Sequence, residues 1–136
     1  MTSETTSRFN SRYFRVADPF GRDWEVEFRW LQTGISIRHA DTVDVKFELR
    51  SGTSPQETET QEKVIALPHP LLLELSKSSG VALTDPWCMR LASAHLRIMM
   101  RTGEDMDKVL VTLSLADLER AQSTVAKALA DLRGAA

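Results

Sequence analysis

Cys88 and the three histidines, His39, His69 and His95, are where nucleophilic or general-base chemistry would have to start in this chain. A thiol–imidazole pair works only within hydrogen-bond reach, about 3 Å. Cys88 and His95 fall on one face of a helical pattern, but their seven-residue separation spans roughly 10 Å of helix axis. They cannot pair directly, so a dyad would need His39 or His69 from elsewhere in the fold. Cys88 lies in the first turn of that helix, where the dipole lowers a thiol pKa. It also lies on the apolar face, where a free cysteine is usually an inert core residue.

Metal chemistry has even less to stand on. There is no C-x-x-C, no H-E-x-x-H and no acidic calcium loop. His39, Cys88, His95 and Met99 would make a soft site only if the helix crossed the strand carrying His39, and nothing in their spacing demands that. The reading is therefore no metal and no cofactor, with His95 a hydrogen-bonded core histidine and His39 near the rim of a sheet. The six glycines are isolated turn residues, so no phosphate loop is present.

Three arginines form the most distinctive surface feature. At about 100° per residue, Arg90, Arg97 and Arg101 align opposite the apolar face of Cys88, Ala92, His95, Leu96 and Met99. No acidic residue occurs between Pro86 and Gly103, so the helix supplies them no partner of its own. The plain reading is a solvated face, with Arg97 and Arg101 complementing the helix C-terminus. The sharper reading is a docking row for an acidic partner, for phosphates, or for the acidic stretch Glu57/Glu59/Glu62 of another copy.

The elements that must position these residues follow from periodicity. Trp24, Val26, Phe28 and Trp30 alternate with Glu25, Glu27 and Arg29; Ile35, Ile37 and His39 alternate with Ser36 and Arg38; Val43, Val45, Phe47 and Leu49 alternate with Asp44, Lys46 and Glu48. Period two marks strands with one buried and one wet face. The three runs read as an antiparallel meander turning at Gln32-Thr33-Gly34 and Ala40-Asp41-Thr42, with Trp30 opposite Ile35 and Phe28 opposite Ile37. All four aromatics Trp24, Phe28, Trp30 and Phe47 are expected on the core side. An exposed aromatic platform for single strands of nucleic acid would need basic residues around it, and the other face mixes both signs.

Upstream, residues 1–11 are polar and expected to be disordered, Arg12 to Ala17 is a short strand, and Asp18-Pro19-Phe20-Gly21 is a turn. Downstream, residues 51–61 read as an exposed mobile loop and Lys63 to Leu67 as a further strand. A short helix covers Leu71 to Lys77. A longer helix starts at Asp85-Pro86, with Asp85 as cap, and ends at Gly103. Lys108 to Leu113 is β-branched and apolar, so it reads as a strand. Ser114 and Asp117 form a short capping box for a last helix, whose stripe Leu115, Leu118, Gln122, Val125, Leu129 and Leu132 repeats at 3-4 spacing. The expected fold is α+β: an antiparallel sheet of four to five strands, one face covered by two longer helices and a short one.

Length and composition bound the function. The chain has 136 residues, 42% of them apolar and 26% charged, and a net charge of −2, as one ordinary globular domain would. Near-neutral charge argues against binding nucleic acid by bulk electrostatics. One cysteine allows no internal disulfide, the polar start has no signal-peptide character, and no run reaches membrane-spanning length. These features point to a small soluble cytoplasmic interaction or regulatory module, non-enzymatic, with a homodimer through the 115–132 helix or an acidic protein as partner. The alternative is an enzyme or small-molecule-binding protein with a pocket between sheet and helices near Trp30, His39, Cys88 and His95.

Overall fold

Alternating apolar and charged residues build the sheet, and helices with apolar stripes cover one side of it. The computed structural model describes residues 12–34, 41–52 and 58–134. In chain order the elements are β1 (Tyr13–Ala17), β2 (Asp23–Gly34), β3 (Thr42–Ser51), β4 (Glu59–Pro68), α1 (His69–Ser79), α2 (Asp85–Thr102), β5 (Leu110–Thr112) and α3 (Leu115–Gly134). The sheet order is β1-β2-β3-β4-β5. The first four strands are antiparallel, and β5 joins β4 in parallel. The fold is α+β, as the pattern predicts. The one parallel pair arises because two helices intervene between β4 and β5, and such a crossover returns the chain in the same direction.

The meander differs from its expected register. Gln32, Thr33 and Gly34 continue β2 instead of turning it, and β2 pairs directly with β3, so that Val26 faces Leu49 and Phe28 faces Phe47. The second run, Ile35 to His39, lies outside the described residues. The exposed loop expected over 51–61 is shorter at both ends. Ser51 is buried, its Oγ donating to the Asp23 carbonyl at 2.7 Å, and Glu59 already belongs to β4. Residues 53–57 of that stretch, and 1–11, also lie outside the description.

A one-residue bulge corrects a second expectation. The β2–β3 register shifts between Phe28 and Trp30, leaving Arg29 as the extra residue. Beyond the bulge Leu31, not Trp30, faces Val45 on the core side. Trp30 turns to the outer face, 36% exposed, with the Lys46 ammonium 5.7 Å from its ring centroid. A bulge reverses every later side chain because the strand period is two.

Asp18 fixes the β1–β2 turn. Its carboxylate accepts from the Phe20 and Arg22 backbone N–H groups at 2.9 Å and from Trp24 Nε1 at 3.2 Å. These bonds, the Arg22 N–H first among them, stabilise the carboxylate and lower its pKa.

The core lies between the inner sheet face and α2. Val26, Val45, Phe47, Leu49, Ile65 and Leu67 meet Leu91, Leu96, Met99 and Met100, all essentially inaccessible to solvent. Helix α2 packs on β1, β3 and β4 below and on α3 beside it, and ten of its 18 residues are buried. Its cap is Thr84, whose hydroxyl accepts from the Trp87 N–H at 3.3 Å; Asp85 is the first helical residue rather than the cap. Gly103 ends the helix at φ +76°, a left-handed conformation that costs glycine little.

Helix α3 begins with the expected box: Asp117 N–H donates to Ser114 Oγ at 3.2 Å, and Ser114 N–H to Asp117 Oδ2 at 3.1 Å. Its stripe is used inside the monomer. Leu118, Ala121 and Val125 are buried, and Gln122 accepts the Trp87 indole N–H at 2.7 Å. Leu129 is the exposed large apolar residue of this stripe among the described side chains.

Candidate functional site

Of the residues expected to line a pocket, Trp30 is not brought together with Cys88 and His95. Trp30 stands on the outer face of the sheet, while Cys88 and His95 are buried on α2 beneath the opposite face. His39 lies outside the described residues. His69 opens α1, where its backbone N–H donates to the Asp41 carbonyl at 2.8 Å. Among the described residues, no group of three or more His, Cys, Asp or Glu is placed to hold a metal ion.

Burial decides the state of Cys88. Desolvation, with Asp85 adding to it, pushes the thiol up to about 11, which outweighs its place in the first helical turn. The direction of that shift favours the protonated thiol at neutral pH.

His95 is 3% exposed, and its Nδ1 has no hydrogen-bond partner among the described residues. Burial holds the imidazole below its ordinary pKa. Asp117 opposes that shift, Arg120 adds to it, and Glu104 and Asp105 oppose it. The folded value thus lies under the unfolded value of about 6.5. Below pH 6.5 the unfolded chain takes up the proton first, so stability is expected to fall as pH drops from about 6.5 toward the folded value. Replacing His95 with Gln should flatten that part of the stability–pH curve. An NMR titration of wild type with a His95 pKa of 6.5 or above would refute the sign.

The arginine row is a different matter, because it is asymmetric with the rest of the surface. On the outer sheet face the charges are matched. Arg29 meets Glu48 at 2.7 Å and Glu27 at 3.1 Å, Arg50 meets Glu48 at 3.4 Å and Glu27 at 3.8 Å, and Lys46 meets Glu62 at 3.1 Å. Arg15 and Arg22 likewise reach Glu25 at 3.2 Å and Glu59 at 3.4 Å. By contrast, Arg90, Arg97 and Arg101 have no carboxylate partner among the described residues.

Arg97 is the focus of the row. The packing of α2 over β1 seats its guanidinium 4.5 Å from the Phe14 ring centroid, while Arg90 and Arg101 remain exposed. Burial, and then the charge of Arg101, lower the Arg97 pKa. The ring face compensates only part of that desolvation. Arg97 is therefore not a simply solvated side chain. It is a half-buried cation held in one orientation, and an anion beside it would recover the lost solvation.

Lys63 escapes a motif search altogether. It occupies the core parity of β4 with Ile65 and Leu67, and it is 2% exposed. Its ammonium donates to the Met106 and Lys108 carbonyls at 2.6 and 2.5 Å, which ties the turn before β5 to the sheet. The only signal in the sequence is that a lysine interrupts the apolar alternation.

A cavity of about 390 Å³ opens where the ends of β1, β2 and β3 meet, bounded by Arg15, Trp24, Glu25, Arg50, Ser51 and Gly52. Both arginines there are already ion-paired, so it offers an anion no uncompensated charge. No helix among the described residues is long and apolar enough to cross a membrane. No protein-family model, no curated protein and no solved structure matches this chain.

Proposed function

We propose that the protein is a small cytoplasmic interaction or regulatory module that acts without catalysis and docks an acidic protein segment on α2. The observation that carries this reading is Arg97, half-buried over Phe14 with no carboxylate partner among the described residues. Arg90 and Arg101 extend the contact by about 10 Å and about 6 Å along the helix, a span suited to a short acidic stretch rather than to one ion.

A fluorescein-labelled octaglutamate peptide provides the test. Fluorescence anisotropy should show binding at low ionic strength that weakens as salt is added. Arg97→Gln should weaken it about tenfold, the loss of one charge-assisted pair at a desolvated position. Arg97→Lys should fall between, since a lysine keeps charge but not the flat stack on Phe14. No binding by the wild type, or equal binding by Arg97→Gln, would dismiss the arginine row as a docking site.

A further inference from the structure

The two edges of the sheet are treated differently. Strand β1 carries Arg15, and α2 leans over it with Arg97 on Phe14. Charges and covering helices are the usual protection of an edge. Among the described residues, no further strand pairs with the outer edge of β5, and β5 carries no charged residue of its own. It consists of Leu110, Val111 and Thr112; Leu110 is 57% exposed, and the preceding Val109 is 62% exposed.

The hydrogen bonds to β4 show which groups remain open. The Val109 carbonyl accepts from the Val64 N–H at 2.8 Å, and the Leu113 N–H donates to the Ala66 carbonyl at 3.0 Å. Odd-numbered residues thus turn their main-chain groups toward β4. Those of Leu110 and Thr112 point the other way, and β4 is the one strand paired with β5 among the described residues. Two residues of one parity, each with an N–H and a C=O directed outward, fit an antiparallel copy of the same strand.

We propose that the open edge of β5 is a homodimer seam, in which β5 pairs antiparallel with β5 of a second copy about a two-fold axis at Val111. Leu110 of each copy lies opposite Thr112 of the other, and each such pair exchanges two main-chain hydrogen bonds. The two five-stranded sheets join into one of ten. Charge fits this register. Lys108 of one copy falls opposite Ser114 of the other, and the Asp117 carboxylate sits against that position, 3.1 Å from the Ser114 N–H. The main chain of Lys108 is fixed by Lys63, but its ammonium has only an exposed pair with Asp105 at 3.2 Å among the described residues, which it can exchange at little cost. The seam therefore brings each lysine to a carboxylate whose own partner, Arg120 at 3.5 Å, is an exposed pair that can share it. It is independent of the arginine row, so Arg97→Gln leaves it unchanged.

Sedimentation velocity at about 100 µM, with hydrogen exchange on the same samples, tests the seam. The full chain should be a dimer of about micromolar dissociation constant, as a small interface would give. The Leu110 and Thr112 amides should be protected at high concentration and exchange fast on dilution. Leu110→Lys, at an exposed position, should raise the dissociation constant at least about tenfold without changing the far-ultraviolet circular dichroism. Thr112→Pro, which removes an outward donor, should do the same. A monomer at that concentration would overturn the proposal. So would a dimer that survives both substitutions but is lost in Leu129→Glu, which would move the interface to α3. Protection of the two amides only after the octaglutamate peptide is added would overturn it as well, by placing a foreign strand on the edge.

Discussion

Phe47→Ala is expected to lower the unfolding free energy by about 3–5 kcal/mol, as large-to-small changes at a fully packed aromatic do. Phe47 is inaccessible to solvent in the middle of β3, and its ring meets Phe28 edge to face at 6.2 Å. Interiors this dense relax little around a deleted ring, so the cavity adds to the lost transfer free energy. Phe28→Ala should cost less, about 1–3 kcal/mol, because Phe28 is only partly buried beside the bulge and less apolar area returns to water. Urea unfolding of both variants gives the comparison. A Phe47→Ala loss under about 1 kcal/mol, or a larger loss for Phe28→Ala, would contradict this packing. Alternation alone weights the two phenylalanines equally; their burial in the fold separates them.

Lys63→Met is expected to destabilise the protein by about 2–3 kcal/mol and to loosen the turn from 103 to 109. Two hydrogen bonds from an ammonium to part-buried carbonyls contribute about 1.5–3 kcal/mol each. Against them stands the cost of holding the charge out of water, which is why burial lowers the Lys63 pKa and Asp107 opposes that shift. The net loss is therefore smaller than the two bonds together. Methionine keeps the length of the stem, so the substitution isolates the ammonium from its packing. Hydrogen exchange should quicken at Lys108 and along β5 while the centre of β3 keeps its protection. Unchanged stability with unchanged exchange would show that the ammonium does not hold the turn.

The sequence by itself determined the elements and the sides they bury wherever a local period decides them. The Val43-Val45-Phe47-Leu49 alternation placed β3 and its inner face, and the 3-4 stripe with the Ser114–Asp117 box placed α3 and its start. Burial of Cys88 and of His95 was legible for the same reason: both sit on an apolar helix face. What only the tertiary structure decided depends on contacts between elements. Trp30 continues the alternation without a break in the sequence, and it turns outward because β3 offers Lys46, not a core residue, across the bulge. The site followed the same division. Helical spacing aligned Arg90, Arg97 and Arg101, but it cannot distinguish three solvated arginines from one that is partly desolvated. That distinction was made by the packing of α2 over β1, which put the Arg97 guanidinium on the Phe14 ring. Likewise the apolar run before Ser114 marks a strand, whereas its place at the edge, and so its open hydrogen bonds, was set by the α1–α2 crossover that returned it parallel to β4. Periodicity records which face of an element avoids water; which element meets that face is settled by the packing of the whole chain.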